Sequence, residues 1–287
     1  MVRIGILFLL CFPTGLFAQT VSFAPPTLGE TGLLGKTAFC ESLFQAGKRE
    51  KDRIFADYGN LYNKNNAKNF GVVLLGAGIL ANTKMDGNFQ NWHNKHIRSG
   101  CTDEFSKGSK FFGEGQIFIP VMAATAFSYR FFQERRALPE CYFGEFADRT
   151  VRGYLVGTPV LLVSQWVLGG GRPNFDMEHP SRWQPFKYSN AVSGHAFMGA
   201  VPFITAAQMT DRPLVKGLFY ALSVCTAWSR INDDAHYLSQ SILGWYLAYL
   251  SVQAVSRTES AKALPRGLTI FPVGGDGSVG IGLHYQY

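Results

Sequence analysis

Charge is scarce in this chain. Asp, Glu, Lys and Arg make up 16% of its 287 residues, against 47% hydrophobic; a soluble protein usually carries about a quarter charged. That shortage points to a membrane-associated or very apolar helical protein. Mean hydropathy is still only +0.02, because polar loops dilute the apolar runs. Cysteine is also sparse, five in all, and none has the paired spacing of a zinc site. The N-terminus lacks a comfortable membrane span, since the apolar stretch Ile4 to Phe12 is too short. With Arg3 before it, Pro13 and Gly15 after it and a cleavage point after Ala18, residues 1–18 read as a secretory signal. An exported chain reaches a compartment where disulfides form. Cys40, Cys101, Cys141 and Cys225 remain, and one bridge among the first three is expected, because Cys225 lies in an apolar helical run.

The balance of the few charges is basic, 27 Lys and Arg against 20 Asp and Glu, for a net +7. That suits anionic partners such as phospholipid headgroups or phosphorylated substrates; no nucleic-acid partner is expected. After a leader and surface helix (19–66), apolar runs recur at Phe70–Ala81, Ile117–Phe132, Thr150–Leu168, His195–Met209, Leu214–Trp228 and Ser241–Val255. Their lengths predict helices. Between the first two, Asn82–Gly115 reads as a polar loop. His93 and His96 stand there without a third ligand, so no metal is assigned, and Asp86 and Asp103 are candidate lid residues. The loop Asn174–Asn190, rich in aromatics, is placed to cap a cavity. Near the C-terminus Val279, Ile281, Leu283, Tyr285 and Tyr287 alternate with small or polar residues after a Gly-Gly-Asp-Gly cluster. This is the period of a half-buried strand and predicts a β-hairpin within 259–287.

Three clusters break the apolar runs: Gly171-Arg172-Pro173, Ser193-Gly194-His195, and Ser229-Arg230 with His236. Arginine can fork two N–H donors onto a phosphate-like oxyanion. A histidine can attack phosphorus or carry a proton. Ser193 and Gly194 fall where a helix begins, and the free amides and dipole of a helix N-terminus favour an anion. Together these are the parts of phosphoryl transfer: charge neutralisation, a nucleophile and a leaving-group acid.

In order and spacing the clusters resemble the type 2 phosphatidic acid phosphatase (PAP2) superfamily, which includes the vanadium haloperoxidases. The resemblance spans roughly Ala67 to Arg257. Three positions depart from the family's pattern. Gln165 stands where the family has Lys, Val192 where it has the Pro of Pro-Ser-Gly-His, and Gln240 where a closing Asp orients the nucleophilic His. The resemblance implies an all-α, six-helix bundle over 67–258, membrane-associated, with the small hairpin appended. It implies His236 as nucleophile, His195 as acid and base, and Gln240 as the residue orienting His236. Arg172, Ser193, Gly194, Arg230 and Gln165 would bind phosphate. No metal or cofactor is implied. The implied activity is hydrolysis of a phosphate monoester or diphosphate, of a lipid or a small ester; the signal at residues 1–18 suggests a site at the periplasmic side of an inner membrane. Asp233 or Asp234 is a further candidate for the missing carboxylate. A vanadate-dependent haloperoxidase and a non-catalytic lipid- or phosphate-binding envelope protein are the alternatives.

Overall fold

The computed structural model describes residues 33–134, 141–174, 180–263, 269–275 and 278–284. Residues 1–18, the side chain of Cys40, Phe175 and the last three residues lie outside what is described. The chain forms two compact units, Met1–Gly47 and Lys48–Tyr287. Within the first, only the opening of α1 (Leu33–Leu61) is described. The second holds the rest of α1 and then α2 (Lys64–Asn82), α3 (Met85–His96), α4 (Gly100–Lys110), a 3-10 turn (Phe111–Gly113), α5 (Gly115–Glu134), α6 (Tyr142–Leu168), α7 (Gly194–Gln208), α8 (Pro213–Asn232) and α9 (Leu238–Ala263). β1 (Thr269–Gly275) and β2 (Ser278–His284) pair antiparallel, Thr269 opposite His284, as the alternation predicts.

Local chemistry sets the helix ends. Asn63 accepts the Asn66 N–H to cap α2, Ser99 and Thr102 form a capping box on α4, and Ser193 accepts the Ala196 N–H to cap α7. Pro213 opens α8, where its missing N–H costs nothing. Gly169 ends α6 in the left-handed region at φ 66, which favours glycine.

α7 is the centre of the bundle, with eleven of its fifteen residues buried. Phe197, Val201 and Ile204 meet Leu243, Leu247 and Val252 of α9 and Tyr154 and Leu161 of α6. Phe70, Val73 and Ala77 of α2, Phe118 and Ile119 of α5 and Tyr220 of α8 complete this core. The six-helix bundle is thus α2 and α5 to α9, and α1, α3 and α4 are added to it. The polar loop expected over Asn82–Gly115 is instead largely helical. The apolar side chains Met85 and Trp92 of α3 face largely outward, and side-chain hydrogen bonds to α8 and α9 (below), with ring contacts of His93 and Phe105 on Trp228, hold α3 and α4.

The end of the bundle where α6 begins and α9 stops is tied by ions. Arg152 meets Asp57 through two contacts of 2.7 Å, Arg130 donates to Asp148 at 3.0 Å, and Arg53 reaches Glu259 at 2.7 Å. Mutual pairing is what makes such burial of charge tolerable. Between the ends, large apolar side chains face outward: Leu75 and Ile79 on α2, Phe127 on α5, Leu162, Val163 and Trp166 on α6, Leu218 on α8. Among the described residues one helix, Tyr142–Leu168, is long and apolar enough to cross a membrane.

Cys101 and Cys141 are both free, which corrects the expected bridge at these two positions. α4 carries Cys101 against the C-terminal end of α8, where Ser106 bonds the Ser229 carbonyl. Cys141 caps the opposite end of α6, a helix of 27 residues that spans about 40 Å at 1.5 Å per residue.

Candidate active site at the converging helix ends

The end of α6, the start of α7, the end of α8 and the start of α9 meet at one end of the bundle, and the three clusters, with Gln165, Val192 and Gln240, lie there. Beyond Gly169 the chain is stitched to itself. The Gly171 N–H donates to the Pro180 carbonyl at 2.8 Å, Gln184 N–H to Gly169 at 2.9 Å and Asn190 N–H to Gly170 at 3.1 Å. Arg172 is held by its Nε, which donates to the Asn190 side chain at 2.9 Å. Ser193 is fully buried. Its hydroxyl caps α7, and its N–H donates to the Gln240 carbonyl at 2.9 Å. Gly244 must be glycine here, since a Cβ would lie 2.3 Å from the Ser193 carbonyl oxygen.

Gln240 is the hub. It is fully buried. Its Nε2 donates to the Gly171 carbonyl at 2.7 Å, which fixes the amide's orientation, because a carbonyl can only accept. Oε1 then faces the Tyr237 N–H at 3.2 Å and His236 Nδ1 at 2.9 Å. An oxygen acceptor there assigns the proton of His236 to Nδ1 and leaves the Nε2 lone pair free. Gln240 thus occupies the position of the closing Asp and makes its hydrogen bond without its charge. Neither Asp233 nor Asp234 takes that role: Asp233 pairs with Arg230 and Asp234 with Arg98.

The site is electropositive and partly dry. Burial pushes the His236 imidazole down to about 4; its bond to Gln240 opposes this, while Arg172, His195 and Arg230 add to it. Burial also lowers His195, helped by the Arg230 and Arg172 charges and opposed by Glu114. The Arg230 guanidinium is lowered by burial as well. Each of these side chains thus feels the charge of others in the group, at the end of the bundle where α7 begins at Ser193 and Gly194. Gln165 does not reach out as a cation would. Its Nε2 donates to the Val192 carbonyl at 2.8 Å and braces the turn before Ser193. Sequence reasoning missed Asn190, Glu114, and Asp86 and Asp103 as structural partners. Asp86 accepts from Ser239, and Asp103 from Asn232 and Arg98, so neither aspartate is free to act as a lid. Among the described residues no group of three or more His, Cys, Asp or Glu is arranged to hold a metal.

A helical bundle that gathers two arginines and two histidines at its helix ends defines an anion-handling helical protein. The family model of the PAP2 superfamily matches residues 152–263, a stretch that contains all the clusters above. Over that stretch the chain is similar to the PAP2 superfamily. The match supports phosphatase-type activity on phosphate esters. No curated protein and no solved structure matches the chain.

Proposed function

We propose that the protein is a phosphatase that hydrolyses a phosphate monoester or diphosphate of a lipid through a phosphohistidine. The observation that carries this reading is the His236–Gln240 contact of 2.9 Å, which leaves His236 Nε2 as a free nucleophile among Arg172, Arg230 and His195. Nε2 attacks phosphorus in line and the bond to the leaving oxygen breaks. Protonated His195 gives that oxygen its proton. His195 then takes a proton from water, the hydroxide attacks the phosphorus, and the P–N bond breaks to free His236. Arg172, Arg230 and the Gly194 amide balance the charge on the equatorial oxygens. Bound phosphate dianion offsets the two arginines and so favours the protonated form of His195 on which the first step depends.

A lipid ester is favoured because an apolar groove adjoins the site. Leu162, Val163, Gln165, Trp166 and Ser189 line it, and Trp166 stacks edge-on with Phe186 at 5.2 Å. The outward apolar side chains of α2, α5 and α8 support association with a membrane, and the signal-like residues 1–18 support export, with the site on the periplasmic side. The neutral Gln240 favours one second reading, a phosphate- or lipid-binding protein without turnover.

The test is inorganic phosphate release by detergent-purified protein, with EDTA and no added metal, on phosphatidic acid, a prenyl diphosphate and an aryl phosphate. Activity is expected, strongest on a lipid, and abolished in His236→Ala. Wild-type activity in that variant removes the assignment, and no release from any substrate leaves the binding reading.

A further inference from the structure

His236 is gripped from both sides by a helix outside the matched stretch. On one side stands Asp234, two residues before it. Asp234 is a non-glycine residue at φ 52, a conformation that needs support. α3 supplies it: Gln90 Nε2 donates to Asp234 Oδ1 at 2.8 Å and Asn94 Nδ2 to the same oxygen at 2.7 Å, and Arg98, just beyond the helix, pairs with Oδ2. Gln90 Nε2 also donates to the Ile231 carbonyl at 2.8 Å, in the last turn of α8. On the other side, three residues after His236, the Ser239 N–H donates to Asp86 Oδ1 at 3.1 Å and the Ser239 hydroxyl donates to Oδ2. Asp86 thereby caps α9 from another helix, one residue before Gln240. Between the two grips the backbone closes on itself, with the Ala235 and His236 N–H groups both donating to the Arg230 carbonyl at 3.0 Å.

We propose that α3 is a catalytic brace: Asp86, Gln90, Asn94 and Arg98 act through Asp234 and Ser239 as positioning residues that hold His236 Nε2 and Arg230 in register for in-line transfer. The inference rests on the phosphatase reading for its kinetic consequence and on geometry alone for the brace. A nucleophile displaced by about 1 Å loses on the order of a hundredfold in rate. A loop whose central residue sits at positive φ relaxes once that residue no longer offers its three donors an acceptor.

The experiment uses Asp234→Gly, because glycine keeps the left-handed backbone while removing the acceptor for all three donors. Asp234→Asn serves as the conservative rescue, retaining one acceptor oxygen and tolerating the same φ. Arg98→Ala is a half-exposed control on the α3 side that cannot disturb the core. For the aryl phosphate, Asp234→Gly is expected to lower kcat at least tenfold with KM changed less than threefold. Arg98→Ala should lower kcat about threefold, and Asp234→Asn should recover most of the loss. Amide hydrogen exchange over 229–240 should quicken at least tenfold in Asp234→Gly, while exchange in α7 stays unchanged. Unchanged kcat in Asp234→Gly, with only a lower Tm, overturns the brace. If the wild type hydrolyses nothing, the phosphatase reading fails separately. The brace is then judged by exchange and by orthovanadate affinity measured calorimetrically: both altered in Asp234→Gly sustain it, and unaltered exchange overturns it.

Discussion

Replacing Gln240 with glutamate swaps the neutral acceptor on His236 for a charged one of the same length. One carboxylate oxygen keeps the 2.9 Å contact to His236 Nδ1 and the 3.2 Å contact to the Tyr237 N–H. The other replaces a donor that now lies 2.7 Å from the Gly171 carbonyl, so two acceptors face each other. Losing that bond in a fully buried place costs about 1–3 kcal/mol. At about 2–4 °C per kcal/mol for a domain of this size, Tm should fall by about 2–12 °C. The same charge favours the imidazolium. An opposite charge within hydrogen-bonding distance raises such a group by about 1–3 units, from the wild-type value of about 4. The neutral form of His236 is the nucleophile, so the acid limb of kcat/KM should move up in pH by the same amount. The new apparent value belongs to the coupled pair. At neutral pH the charge also stabilises the cation that forms when His236 bonds to phosphorus, and kcat should rise. The assay is the pH profile of kcat/KM on one aryl phosphate for both proteins, so that the substrate's own ionisation cancels, with an NMR titration of His236. A folded Gln240→Glu protein whose acid limb coincides with the wild type's would refute the account of Gln240 as the acceptor that tunes His236.

The remaining expectations concern pH and packing. The kcat/KM should be greatest on the acid side of neutrality and fall as pH rises through the value of His195 in the ligand-free protein, which burial and the Arg230 charge lower from its ordinary 6.5; a kcat/KM that stays level through 6.5 would exclude His195 as the proton donor. His236 has a folded value of about 4 against an ordinary 6.5. Its contribution is therefore fully present above 6.5 and lost as pH falls toward 4, about 3 kcal/mol in all at 1.36 kcal/mol per unit. Urea midpoints should show that loss in wild type and lack it in His236→Asn. Gly244→Ala puts a methyl 2.3 Å from the Ser193 carbonyl. It should cost about 1–3 kcal/mol as overpacking, lower Tm and reduce activity together; a variant as stable as wild type would mean that α9 can move away from the α7 cap.

The clusters that meet at the site were legible because polar residues interrupt apolar runs at helix ends. Ser193 announces a cap, Gly169-Gly170-Gly171 a reversal, and Arg172 and Arg230 have no apolar purpose. Long helices such as α6 and α7 were legible from their length and composition. α3 and α4 were not, because their local signals are small, the Ser99–Thr102 capping box and the short Met85, Phe89, Trp92 spacing, and much of what holds them comes from distant partners such as the Ser229 carbonyl for Ser106 and Ser239 for Asp86. A single chain read in order carries no trace of such distant donors. The meaning of Gln240 was half legible. Its hydrogen bond to His236 follows from the spacing of four, whereas its grip on Gly171, which sets the amide's orientation, appears only in the fold. The pairing of Asp233 with Arg230 was hidden for a different reason, since two adjacent aspartates look equivalent until their neighbours are known.

Because one amide side chain joins the Gly171 loop to the His236 turn, and the Gln240 carbonyl also receives the Ser193 N–H, the three clusters are fastened together by a residue that the ribosome makes after all of them. A nascent chain that has reached Asn232 already holds both arginines and the α7 cap, yet has nothing to hold them in mutual register. The mutual register of the three clusters therefore depends on the first turn of α9, the last of these elements to be synthesised.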